Sequence, residues 1–237
     1  MQGVKALLFD TFGTVVDWRN GVARDAAPFL ARHGIGTDPH DFADAWRARY
    51  QPAMEAVRSG ARPFTRLDVL HRENLDAVLR DAGADTSRIP EAELEELNRA
   101  WHRLDPWPDA VPGLTRLKTR YIVAPLSNGN IALLLNMAKR AGIPWDTVLG
   151  SEVVQAYKPT PAAYLRTAEV LGLAPRACML VAAHNKDLAA ARAIGFATGF
   201  VPRDELGPGR SRDPVPTQQW DVIARDFVDL ADRMGCD

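Results

Sequence analysis

The chain opens on a short continuous apolar run, VKALLF, of the length and composition that makes a strand covered on both faces. Between about residues 20 and 104 the pattern changes. GVARDAAPFLARHG, DFADAWRARYQPAMEAVRSG and LDVLHRENLDAVLRDAG carry apolar residues three and four apart and close on glycine, which predicts an all-helical block. Beyond the Pro-rich DPWPDAVPG, strand and helix signals alternate. YIVAPLSNG reads as a strand, 131–141 as a helix, TVLGSEV as a strand, 162–171 as a helix, ACMLVAA as a strand, 188–194 as a helix and ATGFV as a strand. ELGPGRSRDPVPTQQW reads as a Pro/Gly-rich surface loop before a last helix at about 222–234. Such alternation predicts an α/β domain with a parallel sheet. Because the first strand precedes the helical block, the economical topology is a core built from both ends, 1–16 and 106–237, with a helical cap domain inserted at 17–105. No internal repeat or low-complexity tract interrupts it.

Composition narrows the function classes. A chain of 237 residues, 46% of them hydrophobic, can bury one sizeable core plus an insertion. Its 29 basic and 30 acidic residues leave a formal net charge of -1, which gives no field toward nucleic acid or an anionic membrane and favours a small ligand. Cys178 and Cys236 form neither a disulfide framework nor a metal-ligand spacing, so a reducing compartment is expected. No run approaches the roughly 18 apolar residues of a membrane span, and MQGVKALLFD leads into a strand without a cleavable signal pattern, so the expected location is cytoplasmic. A homodimer is compatible with these features, although no stretch is plainly an interface.

Polar residues cluster where the predicted strands end. Asp10 ends the first, Ser127 and Asn128 end YIVAPL, Lys158 stands just before Pro159, and His184 and Asp187 follow ACMLVAA. Taken singly, Asp10 reads as a turn former, Ser127 and Asn128 as a helix cap, and Lys158 as a solvated lysine. If the strands are parallel, all four sets converge on the crevice beyond the carboxyl ends of the sheet, where open α/β sheets bind ligands.

FDTFGT, LSNGN and YKPTPAAY together resemble the three leading motifs of the haloacid dehalogenase superfamily, and within it those of the L-2-haloacid dehalogenases, over nearly the whole chain. The helical block resembles their cap, and Arg47 in DAWRARY resembles the cap arginine that faces the nucleophile. The resemblance implies a Rossmann-like core with Asp10 as nucleophile, Thr14 hydrogen-bonded to it and Lys158 holding it ionised. Ser127, with backbone amides after it, is then the holder of the substrate carboxylate. Arg47 and Asn128 become the receivers of halide, and Asp187 the group that positions water or orients Lys158. Tyr164 has the spacing of a family tyrosine lining the site, and Trp18 is placed to wall the pocket; simple packing is the alternative for both.

Two departures decide the expected chemistry. Magnesium-dependent phosphatases of the superfamily carry a second aspartate two residues after the nucleophile, where this chain has Phe12, and a carboxylate where it has Ala183. Hard Mg²⁺ wants carboxylate oxygens, so no metal and no other cofactor is expected. The family's usual Ser-Ser-Asn stretch is here Ala182-Ala183-His184. His184 offers an imidazole to the hydrolytic water or to a departing halide, fluoride included, the alternative being a structural histidine. The activity implied is metal-independent hydrolysis of short 2-haloalkanoic acids through an aspartyl ester, with haloacid and halide as partners. The rival readings are a phosphatase acting on a small metabolite and a non-catalytic protein that binds a small carboxylate.

Overall fold

The first apolar run forms β1 (Ala6–Phe9), with every side chain buried. This computed structural model describes residues 3–236; Met1 and Gln2, which enter the reading of the N-terminus, and Asp237 lie outside them. β2 (Val16–Asp17) leads into the helical block: α1 (Trp18–Arg32), α2 (Pro39–Ala48), α3 (Tyr50–Arg58), α4 (Leu67–Asp81) and α5 (Glu91–Asn98). β3 (Asp105–Pro106) pairs antiparallel with β2, so the chain enters and leaves the helices through one two-stranded neck. There follow α6 (Ala110–Lys118), β4 (Ile122–Pro125), α7 (Ile131–Ala141), α8 (Ser151–Val154) and α9 (Pro161–Val170). β5 (Cys178–Ala182), α10 (Asn185–Ala193), β6 (Ala197–Phe200), β7 (Val222–Ile223) and α11 (Phe227–Arg233) complete the chain. Among the described residues no helix is long and apolar enough to cross a membrane.

β4, β1, β5, β6 and β7 form, in that order, one parallel sheet flanked by helices, an α/β fold. Parallel neighbours need crossover connections, which is what the alternation of apolar runs and helical patterns supplies. The two-residue period of β1 divides the core: Leu7 and Phe9 join one apolar cluster, Ala6 and Leu8 the other. The first cluster continues through Phe12 to Trp46 and Trp101, so the helical block is seated on the same apolar mass as the sheet. Register then sets the site: Phe9 stands opposite Pro125 on one side and Val181 on the other, so the carboxyl ends of β4, β1 and β5 lie level.

Several elements differ from the sequence expectation, each for a local reason. TVLGSEV is not a strand. It makes a single bridge, Gly150 to Ser127, and then coils into α8, with the Ser151 amide donating to the Gly129 carbonyl at 3.1 Å. The predicted helix at 222–234 begins as β7, paired with β6, and α11 starts only after Asp226, whose side chain accepts the Asp229 amide at 2.7 Å. The helix expected across DFADAWRARYQPAMEAVRSG is two, α2 and α3. Pro52 has no amide to give the carbonyl one turn back, and the break falls at Arg49. α6, absent from the expectation, contains both Pro112 and Gly113, residues that mask a helical pattern.

Gly113 is there because α6 crosses α11 closely: a Cβ at this position would lie 2.5 Å from the Phe227 carbonyl carbon. Backbone cannot yield as a flexible side chain can, so overpacking outweighs the better helix propensity of alanine. Gly113→Ala is expected to lower stability by about 1–3 kcal/mol, read from urea midpoints. A variant as stable as the wild type would show that α11 slides freely.

Candidate active site

Asp10 follows β1 directly, with its amide bonded to the Val181 carbonyl at 3.0 Å, so the strand pairing that builds the sheet also fixes the aspartate. The turn after it returns on itself through Gly13, whose φ of +89° suits glycine, and brings Thr14 beneath the carboxylate. Three donors meet there. Lys158 Nζ lies 2.8 Å from Oδ1, Thr14 Oγ1 donates to Oδ2 at 2.7 Å, and His184 Nδ1 lies 3.0 Å from Oδ2. Burial alone would raise the Asp10 pKa, but the Lys158 charge and the His184 hydrogen bond outweigh it and hold the carboxyl far below the usual carboxylate range.

Lys158 is clamped from both sides. The Asn128 side chain, at the end of β4, accepts the Lys158 amide at 2.8 Å, and Arg58 of α3 donates to the Lys158 carbonyl at 3.1 Å. The ammonium bridges Asp10 and Asp187. Burial opposes its charge, yet these two carboxylates raise its pKa well above that of an ordinary lysine. Asp187 stands in the first turn of α10, and its other oxygen accepts the Tyr164 hydroxyl at 2.6 Å. Asp10, Thr14, Lys158, His184 and Asp187 thus form one bonded group.

A cavity of about 580 Å³ opens onto this group, walled by Asp10, Phe12, Arg47, Tyr50, Asn128 and His184 among others. Arg47 reaches it from α2. Its guanidinium carbon lies 4.0 Å from the Tyr50 ring centre, 5.3 Å from that of Trp18 and 5.6 Å from that of Phe12. Aromatic faces stabilise a cation without occupying its N–H groups. Nη1 of Arg47 is buried with no hydrogen-bond partner among the described residues. A buried charged donor left unpaired is costly, so this atom is a ready receiver for an anion.

Three residues expected at the ligand stand behind the walls instead. Ser127 is buried, its hydroxyl accepting the Gly129 amide at 3.1 Å. Tyr164 reaches Asp187, and Trp18 stacks on Trp101 and donates its indole N–H to Glu205 at 2.9 Å. None of the three lines the cavity.

Glu205 is the residue that sequence reasoning missed. It belongs to the supposed surface loop, yet it is only 2% exposed, and its Oε1 lies 3.1 Å from His184 Nε2. Burial opposes a charge on His184, but hydrogen bonds to Asp10 and Glu205 push its pKa up to about 10. Burial likewise would raise Glu205, whereas His184, the Trp18 indole and Arg212 bring it to about 2. Tyr50, a second omission, adjoins Arg47 and Asn128 in the cavity, and burial raises its pKa. No periodic signal marks either residue.

An ionised, buried carboxylate braced by lysine thus stands beyond a parallel strand and faces a cavity with a cationic wall, where α/β enzymes bind their ligands. The chain belongs to the haloacid dehalogenase-like hydrolases, whose family model matches residues 4–195. A solved structure of a defluorinating L-2-haloacid dehalogenase is 58% identical, with a TM-score of 0.96 over 98% of this chain and 96% of that one. Another L-2-haloacid dehalogenase structure is 44% identical, with a TM-score of 0.92 over 98% of this chain and 99% of that one. By sequence, (S)-2-haloacid dehalogenase 4A of Burkholderia cepacia is 27% identical over 240 residues, covering 98% of this chain and all of its own.

The His184 ion pairs have a pH signature. Its folded pKa of about 10 lies above the ordinary 6.5, so the stability it contributes is complete below about pH 6.5 and is lost as pH rises through 10. The stability gap between wild type and His184→Gln is therefore expected to be widest near pH 6 and to shrink toward pH 10. Urea midpoints of both proteins across that range measure it, and a gap independent of pH would show that His184 is neutral in the fold.

Proposed function

We propose that the protein hydrolyses the carbon–halogen bond of short 2-haloalkanoic acids through an ester on Asp10, without a metal. The observation that carries this reading is the ionised Asp10 and the unpartnered Nη1 of Arg47 on the walls of one cavity. The names of the similar proteins support it, and the relative described as defluorinating brings fluoroacetate within the expected range. In this reading the helical block, 17–105, is a cap over the crevice of the core formed by 1–16 and 106–237. The compartment proposed is the cytoplasm.

Displacement at carbon needs an ionised nucleophile, a neutralised substrate charge and a receiver for the leaving anion. Lys158 meets the first need. The substrate carboxylate lies at the end of β4, where Asn128 lines the cavity and Ser127 orders the loop through Gly129. Halide leaves toward Arg47, away from Asp10. Oδ1 accepts a single donor, Lys158, and keeps lone-pair density for attack, whereas Oδ2 is already engaged by Thr14 and His184. Asp187, beside Lys158, then positions the water that opens the ester and takes its proton.

Phosphate-ester hydrolysis fits these residues poorly. Phe12 stands where the phosphatases' acid would donate a proton, and it packs edge-on against Trp101 at 5.8 Å. The Lys158 ammonium bridges Asp10 and Asp187, so the two carboxylates already share a cation. Among the described residues no group of three His, Cys, Asp or Glu side chains is arranged to hold a metal ion.

Halide release from chloroacetate, fluoroacetate and each enantiomer of 2-chloropropionate, in excess EDTA, tests the reading. Wild type is expected to release halide and Asp10→Asn none. Arg47→Ala is expected to lose about 10²- to 10³-fold in turnover, as for removal of one donor to a developing anion. Absence of halide release together with Mg²⁺-stimulated phosphate release would overturn it.

A further inference from the structure

The two oxygens of Asp10 are unequally engaged, and the two donors on Oδ2 are each held in direction by a second contact. Thr14 Oγ1 accepts the Ala183 amide at 2.9 Å, which leaves its own proton for Oδ2 at 2.7 Å. His184 Nε2 faces Glu205 Oε1 at 3.1 Å, so an imidazolium there aims its Nδ1–H at Oδ2, 3.0 Å away. Glu205 is fixed in turn by the Trp18 indole on Oε2 at 2.9 Å and by Arg212, 3.4 Å from Oε1. The nucleophile turn leaves room for this carboxylate only because residue 13 is glycine: a Cβ there would lie 2.3 Å from Glu205 Oε2 and 3.2 Å from His184 Cε1.

We propose that Thr14 and His184 form an oxyanion hole around Oδ2 of Asp10, with Glu205 as its positioning residue, and that this hole serves the hydrolysis of the Asp10 ester. The inference rests on the ester reading given above and adds to it which groups open the ester. In the first half-reaction Oδ1 gives an electron pair to the substrate carbon and halide departs with the carbon–halogen pair. Oδ2 becomes the ester carbonyl oxygen and keeps both donors. Water then adds to Cγ, the carbonyl π pair moves onto Oδ2, and the proton lost by the water passes to Asp187. Negative charge therefore develops on the one oxygen already held by two donors at 2.7 and 3.0 Å, the distances an oxyanion hole requires. Collapse restores the carbonyl and breaks the Cγ–Oδ1 bond; Oδ1 leaves with the substrate carbon as a hydroxyl, taking the proton from Asp187. The acid regenerated at Asp10 gives its proton to solvent, the proton that accompanies the released halide.

These donors act more strongly in the second half-reaction than in the first. On a neutral ester carbonyl they gain as charge develops, whereas on the resting carboxylate they draw density from the nucleophile. Burial opposes the charge on His184, and Asp10 and Glu205, in direct contact with it, favour that charge; Lys158 lies across Asp10 and Arg212 behind Glu205.

The experiment is rapid-mix halide release from chloroacetate, combined with intact-mass analysis of the protein, on wild type, Glu205→Gln, His184→Ala and His184→Asn. For Glu205→Gln and His184→Ala the expected result is a burst of one halide per site at a rate within about threefold of wild type. Steady-state turnover then falls at least tenfold in Glu205→Gln and about 10²- to 10³-fold in His184→Ala, with the ester mass accumulating on the protein. His184→Asn, which returns a neutral donor near the Nδ1 position, is expected to recover at least tenfold over His184→Ala. Wild-type turnover in Glu205→Gln and His184→Ala, or burst and turnover slowed together without ester, would overturn the proposal. If Glu205→Gln does not fold, the two His184 variants decide it by the same readout. Failure of the ester reading itself looks different: wild type releases no halide, or Asp10→Asn still does.

Discussion

The buried ammonium of Lys158 between the carboxylates of Asp10 and Asp187 is the constraint around which this molecule is arranged. Each of these charges would cost several kcal/mol to bury alone, so none is tolerable without the others. Pairing them requires that residues far apart in sequence arrive at one point, and the sheet does this by register. Phe9 lies opposite both Pro125 and Val181, which sets Asp10 beside the ends of β4 and β5 before any side chain is considered. The lysine comes from no strand. It is held by its backbone, bonded to Asn128 of the β4 end and to Arg58 of the helical block. Through the Arg58 hydrogen bond the backbone of this lysine is therefore tied to the helical block as well as to the sheet.

Charge around the cavity is balanced one group short of neutrality. Asp10, Asp187, Asp213 and Glu205 contribute four carboxylates; Lys158, Lys186, His184, Arg47 and Arg212 contribute five cationic groups. The surplus is Arg47, whose Nη1 has no hydrogen-bond partner among the described residues, and it is held by the faces of Tyr50, Trp18 and Phe12 rather than by an acid. A carboxylate in place of those rings would satisfy the guanidinium and remove its use to an incoming anion. Phe12 thus serves twice: it replaces an acid that phosphate chemistry would want, and it forms part of the nest that keeps a cation available.

Residues that the sequence made legible share one property: each stands at the end of an apolar run. Asp10, Asn128, His184 and Asp187 were found by following strands to their carboxyl ends, and the parallel sheet brought them together. Lys158 joins them as the polar residue after TVLGSEV, a segment read as a strand, whereas Arg47 needed the family resemblance, because an arginine on an amphipathic helix carries no signal of its own. The misread elements are those whose local pattern is overridden by neighbours. α8 is coiled by its bridge to the β4 loop, β7 is a strand because β6 has an open edge, and α6 hides behind Pro112 and Gly113. Tyr164, Trp18 and Ser127 had the right neighbourhood but the wrong depth. Spacing fixes which face a residue takes, not whether other side chains stand between it and the cavity.

Glu205 was illegible for a further reason, and it bears on why position 184 holds a histidine. Without an acid behind it, a charged imidazole here would have Asp10 alone to set against the cost of burial. With Glu205 at Nε2, the cation is paired on both sides and its pKa stands at about 10. His184 and Glu205 are therefore one electrostatic unit, although 21 positions separate them. A loop rich in glycine and proline can deliver such a carboxylate because it is not bound to the period of a helix or strand, and for that reason nothing in its own sequence announces it. Gly13 records the event from the other side, since the turn after Asp10 has no room for both a side chain and Glu205.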